Sequence, residues 1–531
     1  MAKVLLINPS YSGSYGAAKA ALTTPIYPTL GLTTIAAEAL RRGHHVNILD
    51  LSYRPYDWRL IRSTILEAKP DLVGITATTP LMNQLRDISV LCKDVSPNLL
   101  VVGGGAHISA IPVESMAESM LDLALTGESD LTFGDVCDGH DPKTIAGLYY
   151  RNCAGDIVYT GPRPLIENLD NLPMPAWHLY DAAHYRSKAS RLIVKNRPAT
   201  ITEFSRGCVF KCDFCASKMT MGLGYRKKSP ERCAEEVVAM ARLGWREFML
   251  ADDIFTSDND WATRVAEAIV RSGAKMSWTC NNGIRVESAN HRLFDAMRRA
   301  GCWRVAFGFE SGNDAVLQAF GKGGRASLEQ GRVAVRTARA AGLETSGWFL
   351  LGLSADTEDT MRQTIAFARS LELDTLKFGL TIPLPGTPMF NEYAAEGKIR
   401  SYDWDAYHVH STRDLFTHRH LAHATVQRYM QLAYRQAIMS NPSFIARRLK
   451  RGIKTGEFFW DLYYFVKLLG RSSVDDERGS YQYYAPDRWP RHDFQKRPHT
   501  VVTYQRVIKT SHASHRDGPP ILASSRSATV N

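Results

Sequence analysis

The sequence has no long hydrophobic run. Its 531 residues are 44% hydrophobic and 22% charged, a composition typical of globular proteins. No stretch approaches the roughly 18 consecutive apolar residues of a membrane-spanning helix. The most apolar-aromatic segment, FFWDLYYFVKLL from Phe458, is shorter and contains Asp461 and Lys467. The N-terminus also lacks the charged, apolar and small-residue pattern of a secretory signal, so we expect a cytoplasmic protein.

Cysteine is scarce, with nine residues in the chain. An odd and sparse set does not suit a disulfide framework, and a reducing cytosol keeps thiols free. Three of the nine nevertheless fall within eight residues, Cys208, Cys212 and Cys215 in the segment RGCVFKCDFC. A structural zinc site takes four ligands, and the nearest later cysteine, Cys233, lies in a helix-like stretch. The spacing therefore favours an iron–sulfur cluster held by three thiolates, with one iron open to a substrate or cofactor.

The sequence has more basic than acidic residues, but the basic residues are not concentrated in one segment. The formal net charge is +11, yet lysine and arginine are scattered, and the densest cluster is RRLKR at residues 447–451. This pattern is more typical of solvated helix faces and a basic end than of a nucleic-acid-binding surface. We therefore expect no nucleic-acid partner, while an anionic ligand or a membrane surface near that cluster remains open.

The first part of the chain alternates apolar strands with helices. The strand-like segments are KVLLINP, VNILDL, DLVGITAT, LLVVGGG and LDLALTG. This alternation predicts an α/β domain at residues 1–137, built on a Rossmann-like, doubly wound parallel sheet. Ligands of such sheets lie at the carboxyl ends of the strands.

The pattern then changes twice. Residues 138–198 contain a hairpin-like segment with an Ala-Gly turn, followed by a proline-punctuated linker. Residues 199–400 again alternate strands and helices in six units, which predicts a (β/α)6 partial TIM barrel with the cysteine segment after its first strand. Residues 401–480 are predicted as a helical C-terminal region, and residues 481–531 as a basic, disordered tail.

The CxxxCxxC triad follows the first strand of a six-unit β/α run and has an aromatic residue before its last cysteine. This arrangement resembles the radical S-adenosylmethionine superfamily. The resemblance implies that Cys208, Cys212 and Cys215 hold a [4Fe–4S] cluster, whose fourth iron is chelated by the amino and carboxylate groups of S-adenosylmethionine. An electron from the cluster then cleaves the sulfonium to a 5′-deoxyadenosyl radical. The alternatives are a degenerate zinc site and a structural thiol cluster.

Polar residues at the ends of later strands match the superfamily's cofactor pocket. Asp252 and Asp253 end the second barrel strand, where the family holds the methionine amine, and a carboxylate there would pair with an ammonium. The family often has Gly-Gly-Glu at this point, and the sequence does not decide between the two aspartates. The alternative for each of these positions is a capping or salt-bridging residue. The other positions implied to bind S-adenosylmethionine are Asn281, Asn282 and Arg285 after the third strand and Glu310 at the end of the fourth.

The N-terminal domain narrows the resemblance to the cobalamin-dependent subfamily, in which a cobalamin-binding domain precedes the barrel. The matching segments are NILDLS, GITATTP, VVGGGAH and TGES, with PLPGTPMF at the sixth barrel strand. Glycines at a strand end would let the backbone approach the nucleotide tail of cobalamin, and nearby hydroxyls would bind it. The alternative is a glycine turn in a domain that has lost its ligand. The implied residues are Gly103, Gly104, Gly105, Thr76 and Thr78.

One departure concerns the cobalt ligand. Cobalamin domains of the methionine-synthase type use Asp-x-His-x-x-Gly, whose histidine binds cobalt. Here Ser52 stands where that histidine would be, two residues after Asp50. We therefore expect base-off cobalamin without a histidine ligand, which would favour a homolytic methyl transfer. His107 could serve as a replacement, but a surface or capping histidine is the expected role.

Together these features predict a cobalamin-dependent radical S-adenosylmethionine methyltransferase acting on an unactivated carbon of a small-molecule or lipid-like metabolite. In such enzymes one S-adenosylmethionine methylates cobalt, and a second yields the radical that activates the substrate. One alternative is a cyclase or oxidoreductase with the same cofactors, like the anaerobic magnesium-protoporphyrin monomethyl ester cyclase or hopanoid-modifying proteins. Another is a non-catalytic cluster protein. An electron donor such as flavodoxin or ferredoxin is an expected partner.

The C-terminal region is expected to cover the mouth of the barrel and help to select the substrate. Four residues cluster there, either for substrate contact or for packing: Trp404, Tyr407, His408 and His410. Farther along, apolar and aromatic residues interleave with basic ones between residues 447 and 467. Such a segment either makes a peripheral membrane contact or docks on the barrel with its cations in water, and we expect docking.

Overall fold

The structure is a computed structural model of the chain. It describes residues 1–11, 26–186, 194–321, 327–459, 462–463 and 482–494. Two large sheets dominate these segments, a seven-stranded sheet and a six-stranded sheet, and a two-stranded ribbon accompanies the second. Among the described residues, no helix is long and apolar enough to cross a membrane.

The first sheet has the strand order β2-β1-β3-β4-β5-β6-β7. Strands β1 to β5 pair in parallel, which is a doubly wound order with its switch point between β1 and β3. The hairpin predicted from the sequence continues this sheet, because β6 pairs antiparallel with both β5 and β7. The strands are β1 (Lys3–Asn8), β2 (His45–Asp50), β3 (Leu72–Thr76), β4 (Leu100–Gly104), β5 (Leu123–Leu125), β6 (Leu148–Arg151) and β7 (Ile157–Tyr159).

Helices cover both faces of this sheet, and its central strands are therefore apolar on both sides. Leu5, Leu6 and Ile7 of β1 are almost completely buried although their side chains alternate in direction, as expected for a parallel sheet between two helix layers. The helices of this part are α1 (Leu30–Arg41), α2 (Trp58–Ala68), α3 (Met82–Val95), α4 (Ala106–Ala110), α5 (Pro112–Ala117) and α6 (Asp130–Cys137).

The second sheet has the order β15-β14-β13-β12-β11-β8, with every pairing parallel. Six parallel strands in sequence order confirm the predicted partial barrel. The short strands β9 (Ser205–Arg206) and β10 (Arg226–Lys227) form the separate antiparallel ribbon. The barrel strands are β8 (Ala199–Thr202), β11 (Glu247–Leu250), β12 (Ser277–Ile284), β13 (Cys302–Glu310), β14 (Glu344–Leu351) and β15 (Thr375–Leu380).

Amphipathic helices cover the outer face of the barrel, and two more helices follow it. Most begin at a side-chain cap; Ser327 and Gln330, for example, form a reciprocal capping box at the start of α12. The helices are α7 (Ser217–Met221), α8 (Pro230–Arg242), α9 (Asn259–Arg271), α10 (His291–Arg299), α11 (Asp314–Ala319), α12 (Leu328–Ala340), α13 (Glu358–Ser370), α14 (Pro388–Ala395), α15 (His423–Tyr434) and α16 (Pro442–Thr455).

Residues 482–494 return to the N-terminal sheet. The sequence places them in a tail predicted to be disordered, but the structure holds them against α3. The buried carboxylate of Asp87 accepts the backbone N–H of Tyr484 at 2.7 Å and the indole N–H of Trp489 at 3.1 Å. The prediction is therefore wrong for this segment, because a distant carboxylate supplies hydrogen bonds that local composition does not reveal.

Candidate active site between the glycine turn and the cysteine loop

The three predicted cluster ligands lie in one loop between β9 and α7. Cys208, Cys212 and Cys215 are half-buried, and the N–H of Cys215 donates to the carbonyl of Cys212 at 3.3 Å. Burial raises the pKa of the Cys208 thiol to about 11; Asp253 and Cys215 act in the same direction and Arg285 opposes them. Among the described residues, no three His, Cys, Asp or Glu side chains have metal-binding geometry.

Arg285 holds this loop from the end of the third barrel strand. Its guanidinium carbon lies 3.6 Å from the ring centre of Phe210, a cation–π contact within the triad segment. The guanidinium is also paired with Glu287. The sequence assigns Arg285 to S-adenosylmethionine, and the structure places it beside the triad, where its visible contacts orient the loop.

The two adjacent aspartates have different surroundings. Asp252 is buried and accepts hydrogen bonds from the Phe204 N–H at 2.7 Å and from the Ser205 hydroxyl. Burial raises the pKa of Asp252 to about 7. Asp253 instead is hydrogen-bonded to the backbone of Gly207 and lies within electrostatic range of Cys208. Asp253 is therefore the aspartate that stands beside the triad.

Glu310 ends β13 with an unusual backbone. Its φ is 58°, in the left-handed region that costs a residue with a side chain, and such residues concentrate at functional sites. The β13–β14 register shifts at this point, and a Cβ on Gly308 would overlap the Glu310 carboxylate. The fold therefore directs this carboxylate back over Gly308. Asn281, on β12, is half-buried and donates to the Thr279 hydroxyl at 3.2 Å.

The three glycines at the end of β4, Gly103 to Gly105, have different surroundings. A Cβ on Gly103 would lie 2.5 Å from a methyl group of Leu121. Gly105 has a φ of 100°, and a Cβ there would lie 2.7 Å from the carbonyl oxygen of Ala77. A Cβ on Gly104 would meet nothing within 4 Å. The backbone at Gly104 thus borders open space that a side chain would fill, which fits the cradle predicted for the cobalamin tail.

The predicted threonines border the same turn. The Thr76 hydroxyl lies where a Cβ on Gly105 would approach it to 2.8 Å. The Thr78 hydroxyl is 3.3 Å from the hydroxyl of Tyr11. Both lie at the carboxyl edge of the first sheet, where ligands of doubly wound folds bind. The structure therefore brings the predicted cobalamin-binding residues together.

Asp50 and Ser52 occupy the segment where other cobalamin domains carry a histidine. Asp50 accepts hydrogen bonds from Asn8 and from the Ser52 N–H, both at 2.8 Å, and from the Tyr185 hydroxyl. The Ser52 hydroxyl is buried and has no hydrogen-bond partner among the described residues. No imidazole occupies the Ser52 position itself.

His107 is neither a surface nor a capping residue, so that expectation is wrong. It is fully buried, with Nδ1 3.2 Å from the Thr79 hydroxyl and its ring edge-on to Trp404 at 4.8 Å. Burial lowers the pKa of His107 to about 3. Trp404 and Tyr407 are likewise buried, with ring centres 5.0 Å apart. The packing alternative therefore holds for these two aromatic residues.

A buried ionic cluster joins the two domains directly before the triad. Arg206 binds Glu203 and Glu128 at 2.6 Å each and Asp130 at 2.8 Å, and Arg226 binds Glu128 at 2.8 Å. Every one of these side chains is at most 6% exposed. Sequence reasoning missed this cluster. The available signal was an arginine next to Gly207-Cys208 and an acidic strand end in the preceding domain.

The glycine turn, Gly103 to Gly105, and the cysteine loop, residues 207–216, face each other across the boundary between the two domains. Gly386, in the PLPGTP segment, has a φ of 77°, and a Cβ there would overlap the sulfur of Met219 on α7 and lie 3.0 Å from Ala110 on α4. Helix α4 begins directly after the glycine turn, and α7 begins directly after the triad. The two predicted cofactor edges therefore meet at one boundary.

Comparisons with known proteins agree with this arrangement. The B12 binding domain family matches residues 20–136, and the Radical SAM superfamily matches residues 202–368. An uncharacterized methyltransferase of Pyrococcus horikoshii is 31% identical over 443 residues, which cover 80% of this chain and 93% of that protein. The chain belongs to the cobalamin-dependent radical S-adenosylmethionine family. A cobalamin domain before a radical S-adenosylmethionine domain confirms the predicted cofactors, which are cobalamin, S-adenosylmethionine and a [4Fe–4S] cluster.

A second curated relative and a solved structure are also similar to this chain. The anaerobic magnesium-protoporphyrin IX monomethyl ester cyclase of Rubrivivax gelatinosus is 25% identical over 418 residues, or 76% of this chain and 72% of that protein. The radical S-adenosylmethionine methyltransferase TsrM from Kitasatospora setae, solved with cobalamin and a [4Fe–4S] cluster, superimposes with a TM-score of 0.61. The match covers 75% of each chain at 20% identity, and it confirms the predicted fold.

Proposed function

We propose that this family member is a methyltransferase that transfers a methyl group from S-adenosylmethionine to a carbon atom of a small molecule. The observation that carries the proposal is the packing of α4, beside the glycine turn, against α7, beside the triad, with Gly386 against both helices. A reaction that uses two cofactors requires both to border one space, and this contact joins their candidate sites. The methyltransferase name of the Pyrococcus horikoshii relative supports the same class.

When bound, the cluster would supply the electron that splits S-adenosylmethionine into methionine and a 5′-deoxyadenosyl radical, and cobalamin would carry the methyl group. Within the proposal, the triad thiolates hold the cluster. Asp253 pairs with the methionine ammonium, since its carboxylate is the one beside the triad. Asn281 lies on β12 and Glu310 ends the neighbouring β13, and both bind the remaining polar groups of S-adenosylmethionine.

The chain's own residues also set the cobalamin site in this proposal. The open backbone at Gly104 accommodates the nucleotide tail, and the hydroxyls of Thr76 and Thr78 donate to its polar groups. Ser52 supplies no nitrogen ligand, so the cobalt is expected to be base-off. Absorption and paramagnetic spectra of the loaded protein check this point, and a nitrogen ligand on cobalt would contradict it.

Product analysis with methyl-deuterated S-adenosylmethionine tests the methyltransferase assignment. The reconstituted protein, a reductant and a metabolite extract of the producing cell are incubated without oxygen and analysed by mass spectrometry. Deuterium in a new metabolite, together with 5′-deoxyadenosine, is the expected result. A new product without deuterium would favour the cyclase or oxidoreductase class instead.

Arg451 of α16 binds Glu344 of the barrel at 3.0 Å, as expected for a docked helix, and we further propose that the exposed side of α16 makes a peripheral contact with an anionic lipid surface. Ile445, Leu449 and Ile453 lie on the same stripe of α16, and all three are exposed, Ile453 by 74%. Phe459, just beyond the helix, is 78% exposed. Lysines beside this stripe would pair with lipid phosphates, an arrangement typical of interfacial helices. Phe465 and Lys467, also in the predicted segment, lie outside the described residues.

A further inference from the structure

A tryptophan and a lysine project from the inner face of the barrel sheet. Side chains alternate between the two faces of a strand. Phe378 packs against Tyr434 of α15 and stacks on Phe349 at 5.3 Å, so both phenylalanines face the outer helices. Their strand neighbours Trp348 and Lys377 therefore face the lumen. These two residues are paired across β14 and β15, and Nζ of Lys377 lies 4.6 Å from the Trp348 ring centre.

Lys377 has no anionic partner among the described residues. It forms no salt bridge or hydrogen bond with them, and its ammonium group lies over the Trp348 ring. The carboxylate of Glu344, on the neighbouring strand, is already bound by Lys195 at 2.7 Å and by Arg304 and Arg451 at 3.0 Å. The described residues thus leave the lysine without a counter-ion, while three cations share a carboxylate on the next strand.

Lys377 is partly buried, and no carboxylate of the described residues compensates its charge. Burial, reinforced by the charge of Arg304, lowers the pKa of Lys377 to about 8, so most of the population is still cationic at neutral pH. His410 lies within electrostatic range on the other side, and burial and Lys377 lower its pKa. A sheltered cation without an anion is unfavourable unless a ligand supplies the charge. Such groups in a cleft point to a binding site.

The space beside Lys377 is open. Trp348 keeps 38% of its surface exposed, and Val409 keeps 42%. The segment that carries Val409 and His410 lies beside the last residue of β15, since the Leu380 N–H donates to the Val409 carbonyl at 2.9 Å. The residues proposed for S-adenosylmethionine lie on β11 to β13 and the loops after them, whereas Trp348 and Lys377 lie on β14 and β15. The two halves of the inner face are therefore available to different ligands.

We propose that Lys377, Trp348 and His410 form a substrate-binding wall in the barrel, and that the substrate is a small molecule with an anionic group. Lys377 binds its carboxylate or phosphate oxygens, and Trp348 covers the flat or apolar part next to that group. Calling this ligand the substrate rests on the proposed methyltransferase function. The anion site itself can be tested without turnover.

Competitive acetylation measures access to Lys377 directly. The reconstituted full chain is treated with acetic anhydride in phenyl phosphate, in benzyl alcohol or in chloride, all at one ionic strength, and acetyl groups are located by peptide mass spectrometry. Phenyl phosphate is expected to slow acetylation of Lys377 several-fold, and the neutral benzyl alcohol is not. Lys275, an exposed lysine away from the barrel lumen, should react equally in all three. Equal acetylation of Lys377 in phenyl phosphate and chloride would overturn the proposal.

Affinity measurements separate charge recognition from a folding defect. Lys377→Met is expected to weaken phenyl phosphate binding at least about tenfold, or roughly 1.4 kcal/mol, while Lys377→Arg and Lys275→Met keep it. Iron content and cobalamin absorption should be unchanged in all three variants. Undiminished affinity in Lys377→Met, or equally tight binding of benzyl alcohol by the wild type, would refute the site. Neither result bears on methyl transfer, which the deuterium experiment decides separately.

Discussion

Arg206 and Lys377 are two sheltered cations of the same barrel, and the fold treats them in opposite ways. Arg206 is buried among Glu203, Glu128 and Asp130, so its hydrogen-bonding capacity is used within the protein. Lys377 meets an aromatic ring and, within the part of the chain that the structure describes, no carboxylate. The difference indicates a structural role for the first cation and a ligand-binding role for the second.

Neighbouring residues in the sequence also differ in whether they are paired within the protein or border a candidate ligand site. Asp252 is held by two hydrogen bonds from the β8–β9 connection, while Asp253 stands beside the triad. Gly103 is packed against a leucine, while Gly104 borders open space. Positions closed by protein contacts should therefore affect stability, and open positions should affect ligand binding.

Replacing Arg206, whose guanidinium is bound by three carboxylates, should have the largest effect on stability. Arg206→Met leaves three buried carboxylates without their shared partner, and breaking such a cluster costs roughly 3–5 kcal/mol. The free energy of unfolding in urea measures this loss. The matched control is Arg299→Met, since Arg299 pairs with Asp295 at 3.0 Å but is about half exposed; exposed pairs contribute at most about 1 kcal/mol. Similar small losses in both variants would contradict the structural role of Arg206.

Asp252 should make stability depend on pH. Its pKa of about 7 in the folded chain lies above the ordinary 3.8, so the folded state binds the proton more tightly. The stabilisation is complete below about pH 4 and is lost as the pH rises through 7, by at most about 1.4 kcal/mol per pH unit. Unfolding free energies of the wild type minus those of Asp252→Asn should fall over this range. A pH-independent difference would contradict the buried environment of Asp252.

Asp253→Asn, unlike Asp252→Asn, should change the affinity for S-adenosylmethionine rather than the stability of the fold. It removes the carboxylate beside the triad, so S-adenosylmethionine affinity is expected to fall about tenfold, or roughly 1.4 kcal/mol, while the unfolding free energy stays within about 0.5 kcal/mol. Equilibrium dialysis of the cluster-loaded protein measures the affinity. Unchanged binding would remove Asp253 from the proposed pocket.

The glycine turn offers the same comparison within two residues. Gly104→Val projects into open space, so we expect folding to be retained and cobalamin binding to fall by about tenfold or more. Gly103→Val should instead destabilise the domain, by about 1–3 kcal/mol, because it overpacks Leu121. Cobalamin retained after desalting and urea unfolding give the two readouts. Full cobalamin binding by Gly104→Val would place the nucleotide tail elsewhere.

Changes in the exposed apolar stripe of α16 should have the smallest effect, a loss of weak binding to anionic lipid. Wild-type protein is expected to sediment weakly with anionic liposomes at low salt and to remain in solution at high salt. Ile453→Asp combined with Phe459→Asp should abolish this binding. Leu243→Asp alters an apolar residue that is 42% exposed and lies outside α16, and it should leave the binding intact. No sedimentation of the wild type at low salt would exclude the membrane contact.

Much of the fold could be predicted from the sequence because its signals are local. Apolar strands alternating with amphipathic helices predict both sheets, and the spacing of Cys208, Cys212 and Cys215 predicts the cluster loop. The environment of a single side chain depends on distant contacts. His107 is buried by Trp404, and Asp87 binds residues 482–494; neither pair is adjacent in sequence. The sequence therefore predicts candidate cofactor sites at the carboxyl edges of the two sheets. It does not predict which polar side chains there are already hydrogen-bonded within the protein.

Cleavage of S-adenosylmethionine by the reconstituted chain tests most directly that the cysteine loop is a radical-generating site. Protein loaded with iron, sulfide and cobalamin is reduced without oxygen, and 5′-deoxyadenosine is measured by liquid chromatography. We expect the wild type and Cys233→Ala to form it, since Cys233 is buried within α8. Cys208→Ala, Cys212→Ala and Cys215→Ala should each form none. A wild-type protein with a full cluster and no 5′-deoxyadenosine, or triad variants that retain cleavage, would contradict the account.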